Sequence, residues 1–177
     1  MGNSGFLGQQ KRCDMQVFIM RHGDAALNAA SDSVRPLTEC GCDESRLMAV
    51  WLKKGQAESI ERVLVSPYLR AEQTFAVVSE ELSFAGQTDI LPELTPGGDA
   101  DRVADYLNML AVEGVSSVLV ISHLPLVGYL VSALCPQESP PMFSTSAIAS
   151  VTLDSLTGKG TLNWQKSPCQ FKTEKTV

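Results

Sequence analysis

Histidine is nearly missing from this chain: its 177 residues hold two, His22 and His123. Cysteine is present but unpaired in pattern. The five cysteines form no C-x-x-C pair, have no His at ligand spacing, and the nearest approach to a metal motif, Cys40-Gly41-Cys42, lacks two further ligands. Neither a disulfide framework nor a metal site is therefore expected, and reduced thiols fit a cytoplasmic protein. Basic residues are also short, 14 Lys and Arg against 20 Asp and Glu, for a formal net charge of −6. That balance argues against nucleic acid or an anionic membrane as the main partner. No long apolar run exists. The most apolar stretch, Leu124 to Cys135, spans 12 residues and is interrupted by Pro125, Gly128 and Ser132, too short to cross a membrane. Residues 1–14 lack the apolar core of a secretory signal and read as a tail outside the fold. Glycine-rich phosphate loops of the GxxxxGK[ST] or GxGxxG kind are absent, so nucleotide binding through such a loop is not expected.

What remains is ordinary globular material. At 44% hydrophobic and 19% charged residues the chain is not disordered, and a domain of this size buries roughly 70% of its unfolded surface without a staple. Residues 15–177 read as one domain, with no repeat or linker to divide them. Short apolar β-rich runs at Gln16–Met20, Val63–Val65 and Ser117–Ser122 predict buried strands, with a further strand near Thr88–Leu91. Between them, helical spacing of apolar residues predicts helices over Cys42–Lys53, Tyr68–Leu82, Asp99–Val112 and Pro125–Leu134. Ala147–Leu153 and Thr161–Gln165 read as a hairpin around Thr157-Gly158-Lys159-Gly160. Strands alternating with helices, and apolar throughout instead of every second residue, predict a three-layer α/β/α fold with a mostly parallel central sheet.

In an open α/β sheet, ligands bind at the carboxyl ends of the strands. Arg21-His22-Gly23 follows the first strand, Ser66-Pro67 with Arg70 follows the second, and Ser122-His123 ends the strand at 117–122. Both histidines and two arginines thus fall on one sheet edge. Arg21 and Arg70 supply planar paired donors that match phosphate oxygens. His22 has the makings of a nucleophile if one ring nitrogen is held protonated and the other faces phosphorus. His123, if charged, stabilises negative charge on the phosphoryl oxygens. Ser66 and Ser122 sit in no GxSxG elbow and read as strand-end supports.

At these residues the chain resembles the histidine phosphatase superfamily, with its phosphoglycerate mutase-like fold. Arg21-His22-Gly23, Ser66-Pro67 with Arg70-Ala71 and Gln73-Thr74, and Ser122-His123 with Pro125 are similar to its three signatures, and Leu37-Thr38 with Gly41 resembles its early LTxxG element. Within it, the compact bacterial phosphohistidine phosphatases resemble Met15 to Cys169 most. The resemblance implies that His22 accepts the phosphoryl group, that Arg21 and Arg70 clamp it and that His123 completes the pocket. Glu93 is the candidate general acid, and Asn28 matches a phosphate-proximal Asn of the wider family. It further implies a phosphohistidine phosphatase of two-component phosphorelay signalling. The substrate would be a phosphohistidine on a phosphotransfer domain or a phosphotransferase-system carrier, handled by a monomer without cofactor or metal. No insertion long enough for a lid is present, so a protein-borne substrate fits. A phosphatase for small phosphomonoesters and a non-catalytic phosphate-binding module stay open.

Overall fold

The computed structural model describes residues 14–55, 57 and 59–172. Most of the expected N-terminal tail, residues 1–13, lies outside the described residues. Among the described residues eight strands occur: β1 Met15–Arg21, β2 Ser59–Ile60, β3 Arg62–Val65, β4 Ser83–Phe84, β5 Thr88–Ile90, β6 Ser117–Ser122, β7 Ile148–Leu153 and β8 Gly160–Lys166. Five α-helices accompany them: α1 Glu39–Gly55, α2 Leu69–Ser79, α3 Ala100–Val112, α4 Leu126–Leu134 and α5 Cys169–Lys172. The main sheet has the order β5-β3-β6-β1-β7-β8. Its first four strands are parallel, while β7 runs antiparallel to β1 and β8 antiparallel to β7. β2 and β4 pair separately as a two-stranded ribbon.

The alternation of side chains across the sheet splits the apolar residues into two cores. Val17, Ile19, Val118 and Val120 face α3 and α4, packing with Val103, Leu107, Leu110, Val127, Leu130 and Val131. Phe18, Met20, Val63, Val65, Leu119 and Ile121 face the other way, onto Met48, Ala49 and Leu52 of α1 and Ala71 and Val78 of α2. Helices on both faces explain why β1 and β6 are apolar throughout. Each such side chain fully buried is worth about 1.5–3 kcal/mol. The expected three-layer, mostly parallel α/β/α arrangement is present.

The departures from the sequence reading are local. Helix α1 starts at Glu39, three residues before the expected Cys42, because Thr38 caps it: its Oγ1 accepts the Gly41 N–H at 3.0 Å. Helix α2 stops at Ser79, short of Leu82. The ribbon β2/β4 and the helix α5 are too short to show a period and were not expected. Two 3-10 turns, Asp32–Val34 and Pro92–Leu94, lie in stretches without regular apolar spacing.

Candidate active site

The parallel register sets the site. Arg21 of β1 lies opposite Ser122 of β6, and Val65 of β3 lies opposite Ile121. The ladder continues one step past the strands, with the His22 N–H on Ser122 O at 2.9 Å and the Ser66 N–H on Ile121 O at 3.1 Å. His22, Ser66 and His123 therefore leave adjacent strands side by side. The two imidazoles meet with ring centroids 5.0 Å apart, and Tyr68 stands edge-on to His123 at 5.1 Å. Arg70, in the first turn of α2, reaches back so that its Nε–H meets His22 Nε2 at 3.3 Å. Arg21, His22, Arg70 and His123, the four residues that the motifs singled out, are thus gathered at one edge, as Arg21 belongs to the same strand end.

Each is held by its neighbours. His22 Nδ1 lies 2.7 Å from Gly23 O, and a carbonyl can only accept, so the ring proton sits on Nδ1 and Nε2 keeps its lone pair. The Gly23 N–H donates to Thr74 Oγ1 at 3.0 Å, and that hydroxyl donates to Arg70 O at 2.7 Å. Thr74 thus ties the residue after the nucleophile candidate to the helix carrying the arginine. Gln73 beside it accepts the Leu37 N–H at 2.8 Å. Gly41 allows the β1–α1 loop to lie against α1: a Cβ there would fall 2.2 Å from Asp24 O, and backbone cannot give way to it. From the antiparallel side, Phe143 O accepts from Arg21 Nη1 at 2.9 Å, and the Ser146 N–H donates to His22 O at 3.1 Å. Ser146 adopts the left-handed conformation, φ 63°, and its hydroxyl meets that of Ser45 at 3.0 Å, both fully buried.

Burial governs the charge state of the two histidines. His22 is 7% exposed and His123 is 1% exposed. Desolvation first, then the Arg70 and Arg21 cations, pull His22 down to about 4 against the opposing bond to Gly23. Desolvation first, then His22 and Arg70, pull His123 down to about 3. Burial thus favours the neutral form of both rings near pH 7 in the free protein. Ser66 Oγ takes the Tyr68 N–H at 3.3 Å and lies 2.7 Å from His123 Nε2. If that hydroxyl donates to Nε2, the imidazole proton lies on Nδ1, an atom buried without a partner. Arg21 Nε is buried and unpartnered too. Two unspent donors beside a neutral, oriented imidazole suit an oxyanion.

One participant was missed in the sequence. Asp32 accepts from Arg70 twice, through its backbone O at 2.6 Å from Nη1 and its Oδ2 at 3.2 Å from Nη2. Its Oδ1 takes Arg35 Nη1 at 3.0 Å. The Arg35 hydrogen bond above all, with Arg70 behind it, holds the Asp32 carboxyl below its ordinary range. The signal available was slight: an acid three residues before an arginine, in the loop after His22. Glu93 instead lines a pocket of about 320 Å³ with Leu91, Arg102, Val103 and Tyr106. Among the described residues, no hydrogen bond or ion pair joins it to the two histidines or two arginines. Asn28 stands exposed on the β1–α1 loop. Among the described residues, no group of three His, Cys, Asp or Glu side chains is placed to hold a metal ion, and no helix is long and apolar enough to cross a membrane.

Residues 17–96 match the model of the histidine phosphatase superfamily, branch 1. Phosphohistidine phosphatase SixA of Escherichia coli strain K12 is 69% identical over 163 residues, which cover 92% of this chain and 100% of that protein. The chain belongs to the histidine phosphatase superfamily. A SixA homolog of Haemophilus influenzae is 42% identical over 146 residues, 79% of this chain and 89% of that one. A solved structure of the protein histidine phosphatase SixA complexed with tungstate matches with a TM-score of 0.86 at 70% identity, covering 89% of this chain and 100% of that chain. The superfamily resemblance carried by Arg21-His22-Gly23, Ser66-Pro67 and Ser122-His123 therefore extends through the whole fold of this histidine phosphatase.

Proposed function

We propose that the chain is a protein phosphohistidine phosphatase with His22 as the nucleophile. The observation that carries this reading is the fixed tautomer of His22, whose Nε2 lone pair lies within 3.3 Å of the Arg70 guanidinium. An oxyanion seated on that guanidinium has its central atom next to the lone pair. The SixA relatives are phosphohistidine phosphatases by name, and one has been solved with tungstate, a tetrahedral oxyanion like phosphate.

In the first step His22 Nε2 forms a bond to phosphorus while the bond to the substrate's imidazole nitrogen breaks. That nitrogen keeps the electron pair and takes a proton. In the second step water adds to phosphorus and gives a proton to the carboxylate left by the first step, the bond to His22 breaks with its electron pair returning to Nε2, and inorganic phosphate leaves. Arg70 and Arg21 hold the phosphoryl oxygens throughout, and His123 donates from Nδ1 to an oxygen whose charge grows in transit. The proton for the leaving imidazole we assign to Asp32, which is hydrogen-bonded into the site, over Glu93, which is not. A phosphoryl dianion on Arg70 takes donors away from Asp32 and sets a like charge beside it. Both effects raise the carboxyl's proton affinity when the acid is needed.

We infer as partner a protein bearing phosphohistidine, on a phosphotransfer domain or a phosphotransferase-system carrier, and as setting cytoplasmic phosphorelay signalling with the enzyme a monomer. The deciding experiment is phosphate release from a purified phosphohistidine protein by the wild type beside His22→Ala. Loss of more than about 10³-fold in the variant is expected. Equal release by both would remove His22 from the mechanism. Faster turnover of an aryl phosphate than of the phosphoprotein would favour the small-phosphomonoesterase reading, and tight binding of the phosphoprotein without release would favour a binding module.

A further inference from the structure

Tyr68 stands inside the site without a step of its own in the phosphoryl transfer. It is the N-cap residue of α2, in the middle of a five-residue segment, Ser66 to Arg70, that touches both histidines. Ser66 Oγ lies 2.7 Å from His123 Nε2, and the Arg70 Nε–H meets His22 Nε2 at 3.3 Å. Between those two contacts the Tyr68 ring stands edge-on to His123, with centroids 5.1 Å apart, and the Arg70 guanidinium lies over the same ring, its Cζ 5.1 Å from the centroid. The backbone beneath the ring is fixed. The Tyr68 N–H donates to Ser66 Oγ at 3.3 Å, and Tyr68 O accepts the Ala71 and Glu72 N–H groups at 3.0 and 3.1 Å. Tyr68 itself is half-buried, while Arg70 and His123 are buried.

A guanidinium is planar, and its hydrogen bonds act in that plane. Those of Arg70 go to His22 Nε2, to Asp32 O and to Asp32 Oδ2. All three nitrogens are therefore committed to groups that the reaction disturbs. A phosphoryl group on Arg70 takes donors from Asp32, and His22 Nε2 gives up the Nε–H when it bonds to phosphorus. The contact with Tyr68 uses the flat face and spends no N–H. It alone can persist while the in-plane partners are exchanged, and an arginine over an aromatic ring is held more firmly where water is excluded. We propose that Tyr68 is a positioning residue for the phosphoryl transfer: its ring holds the Arg70 guanidinium by the face while the hydrogen bonds of that group pass from Asp32 and His22 to the phosphoryl oxygens, and its edge contact keeps His123 in step with Arg70. The role rests on the phosphatase reading above and adds to it the residue that keeps the clamp aimed.

The test compares wild type with Tyr68→Phe, Tyr68→Leu and Tyr68→Met on a purified phosphohistidine protein, and measures tungstate binding to each by calorimetry. Expected for Tyr68→Leu and Tyr68→Met alike is a fall of about tenfold in kcat, a phosphoprotein KM within about threefold of wild type, and tungstate bound about tenfold more weakly. Tyr68→Phe keeps the ring and loses a hydroxyl that has no hydrogen-bond partner among the described residues, so it should rescue kcat and tungstate affinity to within about twofold of wild type. A side chain that only filled space would change Tm and leave tungstate affinity alone. In an Arg70→Lys background Tyr68→Leu should cost less than it does by itself, because the planar group that the ring holds is gone. Unchanged kcat and tungstate affinity in Tyr68→Leu and Tyr68→Met, a Tyr68→Phe variant as impaired as Tyr68→Leu, or losses that add in full with Arg70→Lys each overturns the role. A wild type that binds tungstate but releases no phosphate from the phosphoprotein would overturn the phosphatase reading instead, and the tungstate series would still decide on the ring.

Discussion

The two halves of the main sheet divide the labour of this site. The parallel half, β5, β3, β6 and β1, ends in the groups to which the proposed mechanism gives the chemistry: Arg21, His22, His123 and, one turn into α2, Arg70. Among the described residues the antiparallel half, reached through the loop before β7, hydrogen-bonds no titratable side chain to these four. It supplies a carbonyl from Phe143 for Arg21, an amide from Ser146 for His22, and one strained residue. Parallel strands start side by side and point their ends one way, so three strand ends deliver three reacting groups to one place. The antiparallel edge covers that assembly from the side. On the proposed mechanism one half sets the rate and the other sets the geometry and the stability, and substitutions in the two should differ in kind.

The largest effect that sharpens this contrast is at Arg70. Arg70→Lys keeps the charge but cannot serve His22 Nε2, Asp32 and a phosphoryl oxygen from one planar fork. We expect kcat/KM for a phosphohistidine protein to fall about 100-fold or more with thermal stability nearly unchanged. A variant within threefold of wild type would show that charge alone suffices there.

Asp32→Asn is the next in size and carries a signature of mechanism. If Asp32 protonates the leaving nitrogen, the variant should lose about 10- to 100-fold on phosphohistidine. It should lose little on an aryl phosphate whose phenol leaves without help. Equal losses on both would make Asp32 a support for Arg70 and nothing more.

How much of this was legible before the fold was known follows the same division. The parallel half announced itself because strands buried on both faces are continuous apolar runs, and the candidate site residues come directly after each run. Arg21-His22, Ser66-Pro67 and Ser122-His123 were all found in that way. The early Leu37-Thr38 and Gly41 element was seen as a pattern, but its work is mechanical, a helix cap and a backbone approach no side chain permits. The antiparallel half stayed silent because a carbonyl such as that of Phe143 has no residue identity, and a left-handed Ser146 looks like any serine. Asp32 was overlooked because an exposed loop carboxylate resembles surface charge until Arg70 is seen holding it. Glu93 drew attention through the resemblance alone; its neighbour Leu94 offers its carbonyl to Ser122 at the strand end beside His123, while its own side chain lines a pocket with Tyr106 and Arg102.

The two histidines allow the charge states to be read without a substrate. They are the only ones in the chain, so imidazole NMR reports on them alone. Their folded values of about 4 and about 3 lie below the ordinary 6.5. Hence neither should titrate between roughly pH 5.5 and 8 in the free protein, and a bound oxyanion should raise both. The sign for stability follows: the unfolded chain binds these protons first. Stability contributed by keeping the rings neutral is complete above about 6.5 and is lost as pH falls from there toward 4 and then 3. A ring titrating near 6.5 in the folded protein would mean that the pocket admits water freely.

The smallest expected effect on rate is at the serine pair, and it tests the antiparallel half directly. Ser146 at φ 63° carries the cost of a left-handed residue with a side chain, about 1–2 kcal/mol. Its hydroxyl is buried against that of Ser45, so replacing either alone leaves the other without its partner. Ser45→Ala should cost about 1–3 kcal/mol, a drop in Tm of roughly 2–4 °C per kcal/mol for a chain of this length. Ser146→Gly should cost less than Ser146→Ala, because glycine removes the strain that alanine keeps. Removing both hydroxyls together should cost less than the two single losses added. Across this series kcat/KM should move no more than a few-fold, since the Ser146 amide still reaches His22 O. A hundredfold loss in any of them, with Tm held, would mean that the antiparallel half does more than hold the site in shape.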